Sequence, residues 1–99
     1  REALEAWCGP QDPGFLLADI GPPAWKGAAE ASATALERAV AEQAAALAEA
    51  GVDGLLLETV TDSAWLAAAL RGLHAGAPGL PALVSAAVDA QGRLPRQGD

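Results

Sequence analysis

The sequence predicts an α/β protein, a parallel sheet with crossover helices. Three observations predict it. The apolar residues switch period several times, from short runs to spacings of three and four and back again. One short run, in "VDGLLLETV", is continuous and not alternating, as in a parallel-sheet strand buried on both faces. The stretches between runs are long enough for helical crossovers.

Taken in order, "REALEAWC" reads as the end of a helix. "GFLLADIGPP" (Gly14 to Pro23) is a short apolar run closed by Gly-Pro-Pro, hence a strand ending in a rigid turn. Pro22 and Pro23 lack the N–H that a ladder needs, so the strand must stop there. About Ala31 to Ala50 an alanine-rich stretch carries Leu36, Val40, Ala44 and Leu47 on one helical face. Glu37, Arg38, Glu42 and Glu49 are free to point elsewhere, and alanine is the best helix former. Gly51 stands where a helix end favours a left-handed residue.

The run from Val52 to Val60 is the second strand. Asp62 and Ser63 suit a helix cap. "SAWLAAALRGLHAG" then supplies a helix with Trp65, Leu66, Ala69, Leu70 and Leu73 on one side, and "APGLP" breaks it. "ALVSAAV" (Ala82 to Val88) is the third strand. The stretch 89–99 is polar and rich in Gly and Pro, and is expected to be a loose tail. The order is β-α-β-α-β. Three parallel strands alone leave two bare edges and an uncovered face, so the chain is expected to begin and end inside a larger α/β protein.

Composition narrows the function. A chain of 99 residues is one domain at most, with a thin core. Its 52% hydrophobic content excludes disorder. Without a membrane-length apolar stretch or a basic-plus-apolar leader, a cytoplasmic protein is expected. Thirteen acids against six bases argue against nucleic acid as a partner. The single Cys8 forms no internal disulfide, and with the single His74 it cannot complete a Cys/His zinc shell.

Glu58 is the residue that poses a question, because a strongly apolar run ends on a carboxylate. On the residues alone it reads as a cap for the next helix or as the partner of a neighbouring base. Ser85 reads as a strand serine bonded to nearby backbone, or as a group facing a pocket. Asp62 reads as an N-cap, and His74 as a helix-end residue near the last carbonyls. Trp7, Trp25 and Trp65 read as packing residues, Trp25 also as a loop contact.

"AEQAAALAEAGVDGLLLETVTD" closely resembles the fourth-strand region of the homocysteine S-methyltransferase domain, as in cobalamin-dependent methionine synthase and betaine–homocysteine methyltransferase. Glu42, Gln43, Leu47, Gly51, Asp53, Leu55 to Leu57, Glu58 and Thr59 match that pattern as they stand. "ADIGPP" is similar to the preceding strand end, and "PALVSAAVDAQGRL" to the next strand and its exit loop. The chain departs from the pattern at Pro23, where a hydroxyl residue is usual, and at Gly54 within the strand.

That resemblance implies a partial (β/α)8 TIM barrel over residues 1–99, supplying about strands three to five of a fold that takes about 250 residues. It implies methyl transfer to the zinc-bound thiolate of homocysteine, giving methionine. The zinc would be held by three cysteines on later strands, after this chain stops, and Cys8 maps to none of them. Glu58, at the C-terminal end of its strand, would accept hydrogen bonds from the substrate ammonium and orient the amino acid. Ser85 would face the pocket, while Gly21 and Pro22 would shape its floor. Asp53, at the opposite strand end, would serve stability. No catalytic or metal residue is assigned within the chain, and the methyl donor stays open. Two other readings stand beside this one. The chain could be part of another TIM-barrel or doubly wound enzyme, or a non-catalytic split module that pairs with another fragment or with itself.

Overall fold

The computed structural model describes residues 2–9, 14–21 and 32–95. Its elements are α1 (Glu2–Cys8), β1 (Leu17–Ile20), α2 (Ala33–Glu49), β2 (Gly54–Val60), α3 (Ser63–Gly76) and β3 (Ala82–Ala86). The strands form one sheet in the order β1-β2-β3, parallel throughout. The expected α/β class and the β-α-β-α-β order are present, and they are compatible with a segment of a TIM barrel. Among the described residues no helix is long and apolar enough to cross a membrane.

Both α2 and α3 start on a side-chain cap. Ser32 Oγ accepts from the Ala35 N–H at 3.1 Å, so α2 begins slightly later than the alanine content suggests. Asp62 Oδ1 accepts from the N–H groups of Ala64 and Trp65 at 2.8 and 3.2 Å, which makes Asp62 the expected N-cap of α3. At the other end of α2, Gly51 takes φ +93°, and the N–H groups of Gly51 and Val52 close back on the carbonyls of Ala48 and Leu47.

β2 is the central strand. Its register sets Leu17 beside Gly54 and Ile20 beside Leu57 on one side, and Leu55 beside Ala82 and Val60 beside Ala86 on the other. The lower end of β1 is tied to β2 by Asp53. Its N–H donates to the Leu16 carbonyl at 2.8 Å and its Oδ2 accepts from the Leu16 N–H at 2.7 Å. Gly54 is glycine for a steric reason. A Cβ there would lie 2.8 Å from Leu17 Cδ2 and 3.3 Å from the Pro81 carbonyl oxygen.

The helices pack over one face of β1 and β2, while β3 is exposed along its length. Ile20, Val40, Ala44, Leu55, Leu57, Val60, Trp65, Ala69 and Leu73 form a single buried cluster. The expected face of α2 is thus confirmed, with Val40 and Ala44 buried and Leu36 and Leu47 packed at its margin. Burial of β2 on both faces is not. Leu56 and Glu58 point to the side away from the helices and are only half-buried. A continuous apolar run therefore did not mean two covered faces here, because nothing among the described residues covers the second.

Three further expectations need correction. Leu70 is 41% exposed, because α3 turns a row of small residues toward α2 and not its leucines. Trp7 is 91% exposed, lying on a helix with no buried residue. Trp25 lies outside the described residues. His74 is exposed in the last turn of α3, and no hydrogen bond joins it to the described carbonyls. Beyond β3, Asp89 organises a tight loop by accepting from the N–H groups of Gln91 and Arg93, and Leu94 packs against the core.

The contact between α2 and α3 depends on absent side chains. A Cβ on Gly76 would stand 2.2 Å from the Ala41 carbonyl oxygen, and one on Gly72 would stand 2.6 Å from that of Glu37. Both obstacles are backbone and cannot swing aside. Across the same contact Arg71 pairs with Glu37 at 3.1 Å, but both are exposed and the pair adds little. Gly76→Ala is therefore expected to destabilise the fold by about 1–3 kcal/mol, although alanine is the better helix former. Thermal unfolding followed by circular dichroism measures this, and a neutral or stabilising result would refute the packing argument. By the same measurement, Asp62→Ala is expected to cost about 1 kcal/mol through loss of its cap bonds.

Candidate functional site

The C-terminal ends of the three strands lie side by side, because all three are parallel and in register. Ile20 pairs with Leu57, so Gly21 and Glu58 are the next residues up the adjacent strands. Ser85 lies just below the Val60 and Ala86 pair on the third strand. Three of the four residues singled out from the sequence thus meet at one rim. The fourth, Pro22, lies outside the described residues.

The rim has two sides. Leu57 and its partner Ile20 face the helices and are fully buried. By the alternation of a strand, Glu58 then faces the opposite, uncovered side, together with Leu56. Val84 is the partner of Leu57, so Leu83 and Ser85 also face the uncovered side. Asp19 pairs with Leu56 and joins them. This face therefore carries Leu17 lowest, then a row of Asp19, Leu56 and Leu83, and the polar Glu58 and Ser85 at the top.

The Glu58 carboxylate is held from two directions. Its Oε2 accepts a hydrogen bond from the hydroxyl of Thr59. Its Oε1 lies over Gly21, where a Cβ would come within 2.6 Å of it. Gly21 thus lets the carboxylate approach the backbone, and a Cβ there would displace the end of the Glu58 side chain. The register between β2 and β3 is irregular from Leu57 to Val60, and within that bulge Thr59 has φ +54°.

The plainer readings of Glu58 do not hold among the described residues. The helix cap is Asp62, and the described ion pairs of Arg71 and Arg93 go to Glu37 and Asp89. Glu58 is a half-buried carboxylate at a strand end with no cationic partner among the described residues. Ser85 is exposed, and no bond joins it to Glu58. Asp53 sits at the far end of β2, bonded to Leu16, away from the rim.

Behind Gly21, on the helix side, a cavity of about 80 Å³ is lined by Ile20, Gly21, Leu36, Val40, Gln43 and Trp65. The Trp65 indole N–H is buried, without a hydrogen-bond partner among the described residues. Gln43 belongs to the stretch that carries the resemblance, and its place is at this cavity, away from the Glu58 face.

No group of three His, Cys, Asp or Glu comes together among the described residues to hold a metal. Cys8 is half-buried and its sulfur lies close to Gly14, before β1 begins. It packs at the end of the sheet opposite Glu58, as a small apolar group would. The described residues do not fit a zinc site.

Sequence reading missed Thr59 and Asp19. Thr59 stood only as a matching letter in the motif, because a positive φ leaves no mark on residue type when the residue is not glycine. Asp19 is one acid in a four-residue strand, and its face becomes known only once the register does.

No curated protein and no solved structure matches the chain. The family model described as homocysteine S-methyltransferase matches residues 1–99, the span over which the strands, their connecting helices and the Glu58 rim are built. On that match, the chain belongs to the homocysteine S-methyltransferase family.

Proposed function

We propose that this chain supplies the amino-acid-binding part of a homocysteine S-methyltransferase, with Glu58 as the anchor for the substrate ammonium. The observation that carries the reading is the Glu58 carboxylate. It stands on the uncovered face at the strand ends, backed by Gly21 and unpaired with any described cation. A carboxylate offers four acceptor positions and an ammonium three donors, so one charge-assisted contact orients the whole amino acid. Asp19 on the same face adds a second negative charge, which favours a cationic group there. Ser85, one strand away, is placed to receive another polar atom of the same ligand.

The reaction itself is methyl transfer to the homocysteine sulfur, and a thiolate is the form that attacks. Zinc, if bound, would hold that sulfur deprotonated. Its ligands are assigned to polypeptide outside these residues, since none here gather into a set. The chain's own contribution is binding and orientation: it fixes the amine so that the sulfur points away from the anchor. It is proposed to act within a (β/α)8 barrel, with further strands or a second copy covering the open edges of β1 and β3.

The uncovered face favours a barrel over a doubly wound sheet. In a doubly wound sheet helices would cover this face and bury Asp19 and Glu58 without counter-charges, at a cost of several kcal/mol per ion. A barrel mouth leaves them beside solvent and substrate.

Homocysteine added to the chain is expected to shift the amide resonances of Gly21, Glu58, Thr59 and Ser85, and Glu58→Gln is expected to weaken binding by about ten- to a hundredfold. Resonance shifts confined to other regions would count against the anchor. Gly21→Ala is expected to weaken binding as well, by displacing Oε1, while leaving the thermal unfolding midpoint nearly unchanged. Purified alone, the chain is expected to form no methionine, and zinc-dependent turnover by it would contradict the assignment of the ligands elsewhere.

A further inference from the structure

We propose that Thr59 is a positioning residue that locks the Glu58 carboxylate in place before any ligand arrives. The proposal rests on the reading of Glu58 as the amine anchor, and its test separates the two.

Thr59 holds a backbone conformation that its residue type disfavours. Its φ is +54°, in the left-handed region, and it is β-branched, which makes that region costlier still. Glycine would take the same conformation without strain. Burial does not compensate, because Thr59 is exposed. The bulge serves the core by returning Val60 to full burial beside Ala86, but a glycine at this position would allow that equally well. What threonine adds over glycine is the hydroxyl, and that hydroxyl donates to Glu58 Oε2.

The conformation and the bond explain one another. In an extended strand, side chains at successive positions point to opposite faces, so residue 59 could not reach the carboxylate of residue 58. The left-handed turn at Thr59 breaks the alternation and brings its hydroxyl round to the same side. With Gly21 against Oε1, the carboxylate is then confined between two neighbours. A free glutamate side chain loses considerable rotamer freedom on binding. One that is already confined loses less, and affinity gains by the difference.

The test compares Thr59→Val, Thr59→Ser and Thr59→Gly in the whole chain, with folding checked by circular dichroism. Three-bond couplings report the Glu58 χ1 population by nuclear magnetic resonance, and titration with homocysteine reports affinity. A single Glu58 rotamer is expected in the parent and in Thr59→Ser, and averaging in Thr59→Val and Thr59→Gly. Affinity is expected to fall roughly two- to tenfold in Thr59→Val and to return in Thr59→Ser. Thr59→Gly is expected to raise the unfolding midpoint while weakening binding, a split that a merely structural residue would not give. Unchanged Glu58 couplings in Thr59→Val, or a lowered midpoint in Thr59→Gly, would overturn the proposal. If the couplings respond but Glu58→Gln leaves homocysteine affinity intact, the positioning stands and the amine anchor falls.

Discussion

The pairing of β2 on both of its edges is the constraint on which the site depends. β1 and β3 fix its register from opposite sides, through Ile20 beside Leu57 and Val84 beside Leu57. A slip of one residue in such a strand would turn every side chain to the other face. Glu58 would then enter the cluster of Ile20, Val60 and Trp65, where an unpaired carboxylate is untenable. The same slip would separate Gly21 from the Glu58 carboxylate that lies against it. The hydrophobic core therefore does more than hold the chain together. By demanding Leu55 and Leu57 inward, it points Glu58 outward at the height where β1 ends.

Much of this was legible in the sequence. The spacing of Leu36, Val40, Ala44 and Leu47 gave the inner face of α2, because a helix on a sheet has one apolar stripe. Asp62 and Gly51 gave helix limits, because capping chemistry is local. What was illegible is physically distinct. The exposure of Leu70 follows from Gly72 and Gly76, which let α3 approach α2 along its smallest residues. A helical pattern shows where apolar residues recur, not which of two adjacent stripes meets a partner. The half-open state of Leu56 depends on what lies beyond the sheet, and no strand encodes that in its own residues. At the rim, Glu58 stood out because a carboxylate breaks an apolar run. Gly21 looked like a turn residue, and its contact with Oε1 emerged only from the register. The role given to Pro22 lies beyond the described residues.

The polarity of the uncovered face bears on what kind of environment it lives in. Low on the strands it carries Leu17, Leu56 and Leu83, which favour contact with other apolar groups. Asp19 stands in the same row as Leu56 and Leu83, and one level higher, at the strand ends, are Glu58 and Ser85. Along the strand direction the face thus passes from apolar, through a mixed row, to polar at the strand ends. Uniform apolar coverage would suit the lower end and leave the Glu58 carboxylate without water at the upper one.

Rigidity at the rim follows from how short the free segment is. Glu58 directly follows Leu57, the last regularly paired residue of β2 before the bulge, and the Val60 carbonyl accepts from the Ala87 N–H at 2.9 Å. Two residues later Asp62 caps α3. Between ladder and cap the backbone has no slack, so the unusual conformation of Thr59 is imposed from both sides and cannot relax by moving its neighbours. Sites on strand ends hold their side chains more firmly than sites on loops, because the ladder fixes the backbone beneath them. Here the ladder also removes the alternative conformations that would let Thr59 escape its left-handed turn. The strain at one exposed residue persists because the core side chains Leu57, Val60 and Trp65 are all fully engaged around it.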